Sequence, residues 1–379
     1  MPTTPWEFVL NNVTNFTTSI LSASITQGRE KYLDNYPGGS ISITINNNTN
    51  LANSFNFNDK IYVQNVNIVT GFRDVFTVQE ITYNDHPGNT GLSTATIFAT
   101  DALSRSGRYQ ATNKALTQTN TTNQMQQFNG SPLPAGLFIS NAFGGNGSSI
   151  ASAQTYTGTV LNQINILQST ERGIIRTGVL GSRLNQFIFP TARSNINGNL
   201  VTAFSFGRNT SETVIAYNTF ERIQNGTSFI NTATISPLGL ASETRTDPTS
   251  VATYGATFYS SSTVDYNATQ AQGNGDWVVD TFSDINDLRF RIGFTDRMQN
   301  STGYTAFLNN FPNIAFTLAY RVPAAGSDTT VNVVLEGWQI NITPEQTTYS
   351  LSFSPLTYYQ FFTLNSTTLG ILDTSRLGW

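Results

Sequence analysis

The sequence has no cysteine and a single histidine, His86. The first absence excludes disulfides, thiolate metal sites and cysteine nucleophiles together, and leaves the redox compartment open. The second excludes any metal site built on a histidine pair. His86 lies in Asn84-Asp85-His86-Pro87-Gly88-Asn89, a turn-like cluster, and reads as a loop residue rather than a catalytic base. Charge is also scarce, at 11% of the 379 residues, against about 25% in an ordinary globular chain. The net charge of −4 comes with no Lys/Arg run, which argues against a nucleic-acid-binding surface built on a clustered basic patch. No stretch approaches the ~18 apolar residues of a membrane span. Met1-Pro2-Thr3-Thr4-Pro5-Trp6-Glu7 lacks the basic and apolar regions of a secretory signal.

Asn, Thr and Ser fill the polar positions instead. With 12% aromatics the chain is too rich in strand formers for disorder. Low charge with many aromatics suits a surface largely covered by partners, because charged residues are depleted at interface cores. An exposed sugar-binding β-protein has the same composition. The many Asn-x-Ser/Thr triplets follow from that composition rather than from glycosylation. The length allows about two or three domains on a prior of ~150 residues each, with a large core.

Alternation of apolar and polar residues places strands at 20–26, 40–46, 60–65, 74–83 and 93–100, and again at 288–294, 314–321, 328–336, 337–343 and 347–354. In the 40–46 strand Ile41, Ile43 and Ile45 share one face. In the 74–83 strand Phe76, Val78 and Glu80 share a face opposite Thr77, Gln79 and Ile81, and Arg73 reads as an edge-strand charge rather than a ligand contact. Between these runs the pattern changes. A short helix is expected within 117–128, with Met125 and Phe128 on one side. The clearest helix is 157–172, where Val160, Leu161, Ile164 and Leu167 recur at helical spacing, a threonine caps the start and Gly173 ends it. Asp247 and Pro248 open a single helical turn that Gly255 closes.

Four groups invite a chemical reading. Gly144-Gly145-Asn146-Gly147 lacks the lysine and the strand-to-helix setting of a phosphate loop. Glu171 has no second carboxylate placed to pair with it, so a helix C-terminal charge is the expected role. Asp276, Asp280 and Asp284 lie one turn apart on a helix and read as a solvated acidic face, since Ca²⁺ loops need clustered carbonyls and a turn glycine. A polysaccharide hydrolase needs two carboxylates ~5–9.5 Å apart in a cleft, and Trp277 with its flanking aspartates is the place to look for one. No catalytic, cofactor-binding or metal-ligating set is expected.

The order of the pieces resembles the phage tail hub and minor tail protein family. The opening is a strand, then Gly28-Arg29-Glu30-Lys31-Tyr32, Pro37-Gly38-Gly39 and the 40–46 strand. Leu51, Phe57-Asn58-Asp59-Lys60-Ile61-Tyr62-Val63 and Ala99-Thr100-Asp101-Ala102-Leu103 follow. Further along come Glu171-Arg172-Gly173 and Gly181, Leu184, Phe189 and Arg193. Phe204-Ser205-Phe206, the strand pair at 217–223 and 229–235, and Asp247-Pro248-Thr249-Ser250-Val251-Ala252-Thr253-Tyr254-Gly255 continue the series. Glu336-Gly337-Trp338 and the closing hairpin lead into Phe362-Thr363-Leu364-Asn365, Leu369-Gly370-Ile371-Leu372-Asp373 and Leu377.

That resemblance implies a mainly β (α+β) fold. Two β-barrel units, 13–113 and 285–355, would flank an inserted mixed α/β region, 114–284. Apart from the resemblance, the segment 356–379 carries too many apolar groups to leave free and is expected to be a C-terminal docking tail, seated on its own chain's inserted region or across a subunit boundary. The resemblance further implies a structural, non-enzymatic component of a virion tail tip or baseplate, synthesised in the host cytoplasm. Such a component forms a homotrimeric hub ring that closes or continues the tail tube and contacts distal tail or tube, tip and fibre proteins. The genome would pass its lumen without specific nucleic-acid binding, and no stable membrane insertion is implied. A carbohydrate-binding receptor protein of the tail tip, using exposed Trp and Tyr, and a polysaccharide hydrolase are the alternatives from other classes.

Overall fold

Strand Thr329–Ile342 is where the chain is joined together. In the computed structural model, which describes residues 6–65, 72–86, 88–142, 147, 149–196, 200–224, 229–283, 288–312, 314–322 and 327–359, one edge of this strand has two neighbours in succession. Residues 329–334 pair antiparallel with Ala315–Tyr320, and residues 337–342 pair antiparallel with Ile20–Gly28. Its other edge pairs with Thr347–Pro355, with a bulge between Leu335 and Gly337. The partner change falls at Glu336. A bulge twists and re-aims a strand locally, which lets one strand serve two neighbours.

From that joint a sheet extends both ways. On one side Ile20–Gly28 pairs with Ser40–Asn46, which pairs in turn with Thr94–Thr100, Arg73–Asn84, Lys60–Asn65 and Trp6–Leu10. On the other lie Ala315–Tyr320, Ser205–Gly207 and Val214–Ala216, with Thr347–Pro355, Leu288–Thr295 and Thr219–Gln224 on a branch. The mainly β class expected from the alternation is therefore present. The two β-units run into one 14-stranded sheet, and closure of either into a barrel is not seen among the described residues.

The alternation holds where expected. Ile41, Ile43 and Ile45 are fully buried, and Ser42 faces solvent. It fails in Arg73–Asn84, where a register shift between Val78 and Glu80 breaks the period. Phe76 and Val78 are buried but Glu80 is exposed, so the single face expected for all three does not exist. That strand is also interior to the sheet rather than an edge. Arg73 is its first residue, half-buried and paired opposite Gln64.

The expected 328–336 and 337–343 strands are one strand with the Glu336 bulge inside it. One hydrophobic cluster runs from Trp6 to Phe353 and takes residues from both β-units. Within it Phe206 packs against Phe294, Phe307, Phe316 and Phe353 at ring-centroid distances of 5.5–6.2 Å.

Between the units lie a three-stranded sheet of Leu137–Ile139, Gln186–Thr191 and Ile174–Gly178, and a second of Glu243–Thr246, Thr232–Pro237 and Phe258–Thr263. Helix Val160–Glu171 is capped by Thr159, whose side chain accepts from the Asn162 amide. Its end is a left-handed Arg172 (φ 58°), one residue before the expected Gly173. The short helix is Thr121–Gln126, with Met125 and Phe128 buried beside it. Asp247 caps Pro248–Tyr254 as expected, over more than a single turn. Helix Ala268–Phe282 carries Asp276 and Asp280, while Asp284 lies outside the described residues. Helix Ser301–Asn310, capped by Asn300, was not expected.

Candidate functional site: a buried polar joint

Gly28 and Gly337 face each other across the pairing of the two β-units. Gly28 has φ +87°, and a Cβ there would sit 2.2 Å from the Glu336 carbonyl oxygen; a Cβ on Gly337 would sit 2.6 Å from the Arg29 carbonyl oxygen. Only glycine allows backbones to approach this closely. The approach places the next side chains together. The Arg29 Nε donates to Glu336 Oε2 at 2.7 Å, and both side chains are buried. Tyr359, at the end of the described chain, donates its hydroxyl to Glu336 Oε1 at 2.6 Å and accepts from Arg29 Nη2 at 3.2 Å.

The guanidinium stands 5.0 Å from the Tyr32 ring centroid and 4.7 Å from that of Tyr36. Burying an ion pair costs solvation that only good geometry and further hydrogen bonds offset, and here both carboxylate oxygens are satisfied. Burial works against the Arg29 charge, but Glu336, Tyr36 and Tyr359 together outweigh it and hold the guanidinium above its ordinary range. Burial pushes the Tyr36 phenol up to about 12 and those of Tyr32 and Tyr359 higher still.

The inserted region reaches the same joint. The Tyr32 hydroxyl donates to the Arg172 carbonyl at 2.8 Å, and Arg29 Nη2 lies 3.5 Å from the Gly173 carbonyl. Arg172 lies over Trp277 at 4.6 Å and donates to Asn274 at 3.1 Å, and Asn274 donates to Asp265 at 2.8 Å. Glu171 is buried, and its carboxylate accepts from Thr121 Oγ1 (2.7 Å), the Ser149 amide (2.9 Å) and the Arg193 amide (3.2 Å). It stands at the helix C-terminus, as expected, and there it ties three segments together.

On the far side of Arg29, Gln27 donates to Asp74 and Thr177, and its Nε2 lies 3.4 Å from Asp101 Oδ2. The Thr177 hydroxyl donates to Asp74 at 2.6 Å, and Asp101 also caps the following helix through the Ser104 amide at 2.8 Å. Two carboxylates thus share one buried set of donors. Burial, and then the neighbouring Asp101 charge, push the Asp74 carboxyl up to about 7. Burial raises Asp101 as well.

The structure separates the other residues singled out in the sequence. His86 is exposed in its turn. Of the phosphate-loop-like glycines, Gly144 and Gly145 lie outside the described residues. Asp276 and Asp280 are exposed, and Asp276 pairs with Arg245 at 3.1 Å. Trp277 is buried between Tyr32, Phe282 and Arg172, so its faces are not open to a sugar. All three described tryptophans, Trp6, Trp277 and Trp338, are buried. Reading the sequence missed Gln27, Tyr32, Asp74, Thr177 and Tyr359 as members of the joint. Asp74 carried a signal: it is an acid beside Val75, Phe76 and Val78 in the buried first half of its strand.

The fold as a whole is similar to those of solved phage tail proteins. Among solved structures, a tail protein from Neisseria meningitidis MC58 is similar over 93% of this chain and 96% of its own, with a TM-score of 0.59 at 9% identity. A prophage MuSo2 tail protein from Shewanella oneidensis is similar over 93% of this chain and 97% of its own (TM-score 0.55, 11% identity). An Escherichia coli component of the type VI secretion system, described as structurally similar to T4 bacteriophage tail proteins gp27 and gp5, is similar over 89% of this chain and 73% of its own (TM-score 0.50, 7% identity). No protein-family model matches the sequence, and no curated protein does.

Proposed function

We propose that the chain is a structural component of a phage tail tip or baseplate. It would be a hub subunit that assembles into a ring, closes or continues the tail tube, and anchors tip or fibre proteins in the virion. The observation that carries this is the near end-to-end correspondence of its fold with a tail protein, over 93% of one chain and 96% of the other. The order of sequence motifs supports it from a separate direction, because Gly28-Arg29, Asp101, Glu171-Arg172-Gly173 and Glu336-Gly337 meet at one joint. A joint of interlocked buried side chains sets the relation between β-units, which is what a ring subunit needs. In this reading three copies make the ring, each contributing two β-units towards a six-fold tube. The site does no chemistry, and the low-charge surface is covered by neighbouring tail proteins.

The test is assembly. The purified chain, alone and mixed with tube or distal tail protein from the same phage, is followed by size-exclusion with light scattering and negative-stain imaging. Trimeric rings, or rings capping tubes, are expected. A chain that stays a monomer with every tail partner overturns the reading. Tight duplex DNA binding at physiological salt overturns the passage of a genome through its lumen, since clustered phosphate contacts would hold the DNA back.

A further inference from the structure

A groove of about 260 Å³ opens beside the joint. Its walls bring together the rings of Phe229, Phe258, Tyr259, Phe282 and Tyr358 with Ile230, while Lys31, Asp34 and Arg289 add charge to the same lining. Phe258, on the edge strand Phe258–Thr263 of its small sheet, is 73% exposed. Tyr358 forms one wall, and its neighbour Tyr359 is pinned by hydrogen bonds to Glu336 and Arg29. The chain therefore passes position 359 at the groove with its last described residue fixed. It continues through residues 360–379, which open with Gln360-Phe361-Phe362-Thr363-Leu364.

From these observations we infer that the groove is the docking site for this chain's own C-terminal segment, with Phe361 or Phe362 as the anchor. Reach makes the occupant local. At most ~3.6 Å per residue, Phe361 lies within about 7 Å of the Tyr359 Cα and Phe362 within about 11 Å, whatever the backbone does. Both positions are thus within reach of the ring-lined opening that Tyr358 borders. A bulky apolar group from the same chain reaches it at an effective concentration that no separate partner matches. The inference is independent of the tail-protein reading, because it concerns one chain only.

The absence of cysteine makes the test clean, since any disulfide formed is an engineered one. Phe258→Cys, at an exposed position, is combined in the full-length chain with Phe361→Cys, Phe362→Cys or Leu364→Cys, and Thr257→Cys serves as a second anchor in a parallel series. A disulfide requires Cβ atoms ~3.5–4.5 Å apart, so trapping reports proximity. Under mild oxidation, at least one of the Phe361 or Phe362 pairs is expected to give a reductant-sensitive, faster-migrating monomer in most of the molecules. Trapping only as a covalent dimer would place a second copy's segment in the groove and overturn the inference. Absence of trapping in all six pairs, or trapping of Leu364→Cys alone, would also overturn it.

Discussion

Arg29 and Glu336 are separated by most of the sequence yet form a buried pair at 2.7 Å. Removing one partner leaves the other charged and unsolvated, a loss of about 3–5 kcal/mol, whereas replacing both with apolar groups of similar volume is often near neutral. Arg29→Met is therefore expected to lower the denaturation midpoint sharply, and Arg29→Met with Glu336→Met to restore most of it. Equal losses in the single and double variants would show that the pairing itself contributes little.

Asp74 makes a pH-dependent contribution of opposite character. Its folded carboxyl titrates at about 7, against ~3.9 in an unfolded chain, so the native state holds a proton across that window. Its contribution is fully present below about pH 4 and is lost as pH rises towards about 7, on the order of 4 kcal/mol for three pH units. Asp74→Asn is expected to flatten the melting-temperature profile between pH 4 and 7, and an unchanged slope would refute the protonated state. At this scale the sequence was half legible. Gly28-Arg29 and Glu336-Gly337 stood out as motifs, but nothing local shows that two motifs touch. Tyr32 stood in the first of these motifs and Tyr359 in the tail expected to dock, but neither showed which residues it meets.

Elements were easier to read than their pairing. Alternation located strands at 40–46, 93–100 and 347–354, within one residue of those observed, because each buries one face and a period of two survives in the sequence when that happens. It misled at bulges, where an extra residue resets the faces, as between Val78 and Glu80 and at Glu336. Helix Ser301–Asn310 was missed although Asn300 at its cap and Tyr304, Phe307 and Leu308 at helical spacing were visible, because its Ser, Thr, Gly and Asn residues read as loop.

The strand Thr329–Ile342 can change neighbours only if the backbones at Gly28 and Gly337 meet without side chains. Gly28→Ala would put a methyl group 2.2 Å from the Glu336 carbonyl oxygen at a positive φ, whereas Gly239 has φ +77° with nothing near its Cβ position. Gly239→Ala should therefore cost only the left-handed strain, ~1–2 kcal/mol. Gly28→Ala adds a backbone clash and should abolish soluble expression or lower the melting temperature far more. Matching losses for the two would mean that the close approach is not required.

At the scale of the whole molecule, the composition indicated a β-rich chain, and the repeated runs of alternating strands suggested two units. The sequence did not show that these units share one sheet and one core, because strand pairing between residues 20–28 and 337–342 depends on contacts that no local pattern encodes. The sharing has a consequence for independent folding. Cut at 113, the N-terminal unit would present the full edge of Ile20–Gly28, whose partner strand lies in the other piece. It would also expose its share of the common core, including Trp6, whose indole donates to Thr347 at 3.2 Å, and Phe72, which stacks on Phe311 at 6.2 Å. An unpaired edge strand beside exposed aromatics is a template for aggregation. Residues 6–113 expressed alone are therefore expected to be insoluble or to lack a cooperative melt. Co-expressed with residues 114–379, they should copurify as a complex whose circular dichroism matches the intact chain. A soluble, monomeric 6–113 fragment with its own sharp thermal transition would show that the unit closes on itself, and that the sheet through Thr329–Ile342 joins two finished domains rather than completing one.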